Sequence, residues 1–245
     1  MRSERLDALR ALAMIWMTVF HLGFDLAYFG WWIQDFYHDP LWTTQRVLIV
    51  SLFLFCAGAS QALALHQGQT WRAFGRRWLE IAGCALLVSL GSRLMFPDSF
   101  IYFGVLHAIA VMLLALRLAA SLWRGGDIFW WLAGAMAVAL GAVGPALIAN
   151  DPRLKLLDGP GLNWIGLISA KPRTEDYVPL LPWLGPLLWG YASMRYLLRR
   201  RSHWVFASVR PVVRPLARLG TWSLLYYMVH QPVMIGLLLA LQQLS

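Results

Sequence analysis

Five ionisable side chains stand inside stretches that are otherwise greasy enough to lie in lipid: His21, Asp25, Arg93, His107 and His230. A charge near the centre of a spanning helix costs about 2.5–3.5 kcal/mol on insertion scales, so each of these groups needs a partner or a watery cavity. His21 and Asp25 are four residues apart and share one face of a helix. A carboxylate one turn from an imidazole can accept one ring N–H and so fix which nitrogen is left as a base. That is equipment for taking a proton from a hydroxyl or an amine. Arg10 lies eleven residues before His21. At about 100° per residue this spacing returns to within about 20° of three full turns, so the two share a face about 16 Å apart along the axis. They are placed to be the two ends of one slot.

The elements that must carry these groups are long apolar runs. A spanning helix needs about 20 mostly apolar residues. Seven runs qualify: residues 9–30, 46–65, 78–96, 103–122, 128–149, 180–198 and 221–241. The chain has 245 residues, 59% hydrophobic and 13% charged. Its apolar excess is spread through the whole length, which predicts an all-α integral membrane protein with a single domain over residues 1–245. The first run is read as a span rather than a cleaved leader, because it holds His and Asp and ends in bulky aromatics. Cys56 and Cys84 lie in apolar runs, and neither a disulfide framework nor a metal site follows from them.

The loops predict an orientation. With the N-terminus in the cytoplasm and the C-terminus outside, in the periplasm, fifteen of the 21 basic residues fall inside, Arg124 among them. The six outside are balanced by acids that include Asp151. This obeys the positive-inside rule, and it accounts for the net charge of +9 without nucleic acid. At about 1.5 Å per residue, His21 lies about 18 Å and Asp25 about 24 Å into a core about 30 Å thick. Arg93 and His107 fall in the same outer half. Arg46 opens the second run at the outer end, and His230 is nearer the midplane, followed by Gln231 and Pro232. The inner arginines Arg72, Arg76, Arg77 and Arg214 could seat phosphates at the slot's mouth, or serve only as topology signals and contacts to anionic lipid. The sixth run, "VPLLPWLGPLLWGY", bears three prolines and predicts a kinked helix that lines a pocket through Trp183, or a simple structural bend. The outer segment 150–179 is long enough to be a binding loop, or an interface loop with Trp at headgroup depth.

Several pieces resemble a known family. "RLDALRALAMIWMTVFHLGFDL" is similar to the first helix of bacterial relatives of the heparan-alpha-glucosaminide N-acetyltransferase catalytic domain, within a wider group of transmembrane acyltransferases. The wider group is marked by an Arg, ten residues, then a His, here Arg10 and His21. "SLFLFCAGAS", "YFGVLHAIAV", "PLLPWLGPLLWG" and "LGTWSLLYYMVHQPV" match in the same order. The resemblance implies a transferase of the inner membrane that moves an acyl group, usually acetyl, from cytoplasmic acyl-CoA to a hydroxyl or amine of a carbohydrate on the far side.

On that reading His21 is the base or the acyl acceptor, oriented by Asp25, and His107 is a further catalytic group. Arg10, Arg72, Arg76, Arg77 and Arg214 hold the acyl-CoA, while Arg46, Arg93, Trp183 and His230 bind the acceptor. In the eukaryotic lysosomal members the position resembling His21 is not histidine, and their proposed catalytic histidine lies beyond it, which leaves His38 as a second candidate base. The partners implied are the bilayer, acyl-CoA and a carbohydrate, with a homodimer as an assembly option. The alternative function is a proton-coupled transporter of a sugar or amino-sugar, since intramembrane His, Asp and Arg also serve such machines.

Overall fold

The structure, a computed structural model, describes residues 2–123, 125–150 and 152–244. The two charges Arg124 and Asp151 lie outside the described residues. Among the described residues nine α-helices follow in order: α1 (Glu4–Tyr28), α2 (Pro40–His66), α3 (Trp71–Met95), α4 (Val105–Leu122), α5 (Asp127–Asn150), α6 (Leu180–Arg200), α7 (Ser202–Phe206), α8 (Arg214–Thr221) and α9 (Ser223–Gln242). Among the described residues there is no strand, only an isolated bridge between Phe103 and Tyr177.

Among the described residues six helices, α1 to α5 and α9, are long and apolar enough to cross a membrane, so this is a multi-pass membrane protein. The seventh expected span, α6, has 21 residues but dilutes its apolar content with Pro182, Pro186, Gly185, Gly190 and three arginines. Its start is bent as the prolines predict, with Leu181 extended (φ −102°, ψ 129°). The apolar runs mark lipid depth rather than helix ends. Thus α3 begins seven residues before its run, at Trp71, where Thr70 caps it by accepting the N–H of Ala73 at 3.2 Å.

The chain divides into two compact units, residues 1–53 with 202–245 and residues 54–201. In the first, Met17, Phe20, Phe36 and Ile49 form a buried cluster, flanked by Trp16, Trp42, Tyr226 and Tyr227. The short helix α8 packs Ala217 and Gly220 inward against α1. Only glycine fits at Gly220, because a Cβ there would run into the carbonyl of Asp7.

In the second unit α5 and α6 lie antiparallel. Asp127 at the start of α5 pairs with Arg195 near the end of α6 at 2.9 Å, and with Arg199. Further along, Gly134 sits against Gly185 and Trp189, and Gly141 against Pro182. The long segment after α5 is not a loose loop. Its end is tied to residues 99–105: Glu175 donates to the Ser99 carbonyl (2.9 Å), Val178 to Phe103 (3.1 Å), and Thr174 to Phe100 (2.8 Å). Asp176 accepts the N–H of Val105 at 2.8 Å and so caps α4.

Candidate active site

The first unit brings Arg10, His21, Asp25 and His230 onto α1 and its partners α8 and α9. At the lower end, buried Asp7 accepts from Arg10 (2.7 Å) and from Arg2 (3.2 Å), and Arg10 also donates to the Gly220 carbonyl (3.2 Å). Higher up, Thr18 meets Tyr226, His21 meets His230, and Asp25 meets Gln231. The partner numbers rise together, so α8 and α9 run in the same direction as α1.

The tautomers of the histidine pair follow from what each partner can do. Nδ1 of His230 lies 2.7 Å from the carbonyl of Tyr227, and a carbonyl only accepts, so this nitrogen carries the proton. In a neutral ring the other nitrogen, Nε2, is then the acceptor. Nε2 of His230 lies 3.0 Å from Nδ1 of His21, which must donate to it. His21 is thereby left with an unprotonated Nε2, which has no hydrogen-bond partner among the described residues. The His230 ring is held in place by Tyr226, whose ring is parallel to it (centroids 5.9 Å apart, 5° between planes). Tyr226 is fixed in turn: Thr18 gives its one hydroxyl proton to the Met14 carbonyl (2.9 Å), so the Tyr226 hydroxyl donates to Thr18 (2.7 Å).

Asp25 does not orient His21, and no hydrogen bond joins them. The expectation from their spacing is corrected by a competing partner. The buried Asp25 carboxylate accepts from the Gln231 amide with both oxygens, at 2.8 and 3.0 Å. Since a carboxylate only accepts, Gln231 turns its NH2 toward it and leaves its own buried oxygen without a donor. The His230–Gln231 doublet of α9 thus serves the His21…Asp25 pair of α1, residue by residue.

The slot expected between Arg10 and His21 is filled. The same face of α1 carries Met14 and Met17, at most 3% exposed. A cavity of about 500 Å³ lies instead beside the end of α1, lined by Phe24, Ala27, Tyr28 and by residues 33–37. Next to it is the second candidate base. Nδ1 of exposed His38 lies 2.9 Å from the carboxylate of Asp35, which also accepts the backbone N–H groups of Tyr37 and His38. These bonds hold the Asp35 carboxyl below the ordinary carboxylate range, the backbone N–H of His38 foremost. Arg46 and Arg214 belong to this unit and are exposed.

The remaining singled-out residues belong to the second unit. His107 has both ring nitrogens engaged. Nδ1 accepts the Gly104 N–H (3.3 Å), and Nε2 therefore donates to Ser89 (3.0 Å), whose hydroxyl donates to the Ile101 carbonyl (2.6 Å). It is built as a cap for α4, with no lone pair left for proton transfer. Arg93 is exposed and lies over the ring of Phe100, 5.0 Å away. Trp183 is half-buried on the bent start of α6. Arg72 and Arg76 are exposed, and Arg77 pairs with Glu80.

Reading the runs one by one missed Gln231, Tyr226 and Thr18. The usable signal was depth: His230 falls on the seventh run within about 5 Å of the level of His21 on the first. The site and fold define a class, a polytopic helical membrane protein with a buried pair of imidazoles fixed by neighbouring groups. The sequence matches the family described as "Heparan-alpha-glucosaminide N-acetyltransferase, catalytic" over residues 2–232, and the chain belongs to that family of membrane acetyltransferases. No curated protein and no solved structure matches it.

Proposed function

We propose that the chain is an acyl-CoA-dependent acyltransferase of a bacterial inner membrane that modifies a hydroxyl or amine on a carbohydrate. The observation that carries this reading is the Tyr227–His230–His21 relay, which leaves one imidazole nitrogen with its lone pair free. His21 Nε2 takes the proton of the acceptor as its oxygen or nitrogen attacks the thioester carbon. The C–S bond breaks, the acyl group passes to the acceptor, and the proton leaves with the thiolate as CoA thiol. His230 positions His21, and Asp25 with Gln231 holds the two helices in register.

Arg72, Arg76, Arg77 and Arg214 serve the donor's phosphates, while Arg10 joins α1 to α8 at that end. Arg46, Arg93 and Trp183 serve the acceptor. His107 acts by capping α4. The two ends communicate when Met14 and Met17, unbranched and flexible, give way. The transporter reading finds no support in the family.

The membrane count is proposed as seven, N-terminus inside. Two features support it. Helices α1 and α9 are parallel, so the path from the top of α1 to the bottom of α9 needs an odd number of crossings; α2 to α5 supply four, and α6 as the fifth makes α9 the seventh span. The arginine-bearing end of α6 also lies against the start of α5, as an antiparallel crossing requires.

The test uses the purified full chain in liposomes, with radiolabelled acetyl-CoA and glucosamine. His21→Ala should lose about 10²–10⁴-fold in kcat, as loss of a general base does, with His38→Ala near the parent. The reverse pattern moves the base to His38, and transfer by His21→Ala at the parental rate removes His21 from the chemistry.

A further inference from the structure

The second unit buries a cation without a counter-charge. Arg117, near the end of α4, is 5% exposed. One of its nitrogens, Nη2, donates to the Gln69 carbonyl at 2.6 Å. The other two, Nε and Nη1, are buried with no hydrogen-bond partner. No carboxylate pairs with Arg117 among the described residues, and the acids of residues 54–122 are Glu80, which is bonded to Arg77, and Asp98, at the far end of α3.

The guanidinium lies instead against the first turn of α3, 4.9 Å from the ring of Trp71 and 5.7 Å from that of Phe74. Aromatic faces return part of what burying an ion costs, but they leave the N–H groups unsatisfied. The same turn supplies further donors. The backbone N–H groups of Trp71 and Arg72 have no acceptor among the described residues, as expected at a helix start where Thr70 takes only Ala73 and Phe74. The acceptors at this corner, on Gln69 and Thr70, are already engaged, and the donors outnumber them.

We propose that Arg117 and the first turn of α3 form a seat for a phosphate group, covered by Trp71. A guanidinium fork and helix N-terminal amides are matched to phosphate oxygens, and they are uncharged-partner groups here until an anion arrives. Trp71 is 46% exposed and is the side chain that must turn aside. The phosphate has two sources, a soluble nucleotide such as the donor's own phosphates or the headgroup of an acidic lipid. That the soluble source is acyl-CoA rests on the acyltransferase reading; the seat itself does not.

The test is calorimetric binding of inorganic pyrophosphate and of adenosine 3′,5′-bisphosphate to the full chain in phosphatidylcholine nanodiscs. A parallel arm measures the rise in melting temperature when phosphatidylglycerol is included. Arg117→Met should weaken pyrophosphate binding at least tenfold, and Trp71→Ala should bind it at least as tightly as the parent. If Arg117→Met does not fold, Arg117→Lys, which keeps the charge but loses the fork, should bind severalfold more weakly. Loss in Arg117→Met of the phosphatidylglycerol effect alone also supports the seat and assigns it to lipid. Binding by Arg117→Met within twofold of the parent, or a parent that responds to neither phosphate source, overturns it. Pyrophosphate binding through Arg117 by a chain that transfers no acetyl group would sink the acyltransferase reading and leave the seat standing.

Discussion

Replacing His230 tests the relay most directly. In the parent its Nε2 accepts the Nδ1 proton of His21 at 3.0 Å. Phenylalanine fills much the same space but offers no acceptor. The loss is one neutral hydrogen bond, worth about 1 kcal/mol net, and the donor left behind on His21 can cost about 1–3 kcal/mol. His21 can recover part of this by moving its proton to Nε2, but that removes the lone pair assigned to the acceptor. A loss of about 1–2 kcal/mol of transition-state stabilisation corresponds to about 5–30-fold in kcat. His230→Phe should therefore fall between the parent and His21→Ala, chiefly in kcat rather than in the KM for acetyl-CoA. His230→Gln, whose amide oxygen can accept from His21, should recover part of the loss. The assay is acetyl transfer by the purified chain, normalised to the folded fraction from a thermal melt. A His230→Phe variant with kcat within twofold of the parent refutes the relay, because His21 would then keep its working tautomer without its partner.

Other changes give equally definite outcomes. Gln231→Leu strands the buried Asp25 carboxylate and should destabilise the chain by about 1.5–3 kcal/mol, whereas the double change Gln231→Leu with Asp25→Leu should be milder, as read from thermal unfolding in detergent. Gly220→Ala drives a methyl group into the Asp7 carbonyl, and should cost about 1–3 kcal/mol in the same melt. Asp35 has its carboxyl held below its ordinary value of 3.8, so the turn at residues 35–38 is fully supported above that pH and loosens as pH falls through the lower, folded-state value. Hydrogen exchange at the Tyr37 and His38 amides, faster in this acid window than its ordinary pH trend, checks the sign, and Asp35→Asn should show fast exchange at neutral pH as well. If α6 crosses the membrane, single cysteines placed at Ser169 and Arg201, in a chain with Cys56 and Cys84 replaced, should react with an impermeant maleimide from opposite sides.

The apolar runs located every long helix because burial in lipid demands about 20 apolar residues in a row. They failed at the ends, where α2 starts at Pro40 and α3 at Trp71, because a helix continues into water once it is capped and no longer needs apolar side chains. They also said nothing of α8. Its eight residues are too short for a span, and what fixes it is a glycine that admits the backbone of α1. A close approach of that kind depends on the partner helix and leaves no periodic mark.

The site was legible in its residue types and not in its pairing. His21, Asp25 and His230 stand out because charge in lipid is costly, yet the nearest neighbour in sequence proved the wrong partner for His21. Spacing of four residues puts Asp25 on the right face, but a face is shared with the adjacent helix as well. The carboxylate, which only accepts, went to the amide donor of Gln231, and His21, which needed an acceptor for its Nδ1 proton, went to His230. Each choice leaves no charge facing a like charge. Donor and acceptor capacity decides such a contest more sharply than distance along the chain. The same rule separates the three histidines of the apolar runs: His107 spends both nitrogens on its cap and His230 spends both on the relay, so among these three only His21 retains a nitrogen for a substrate.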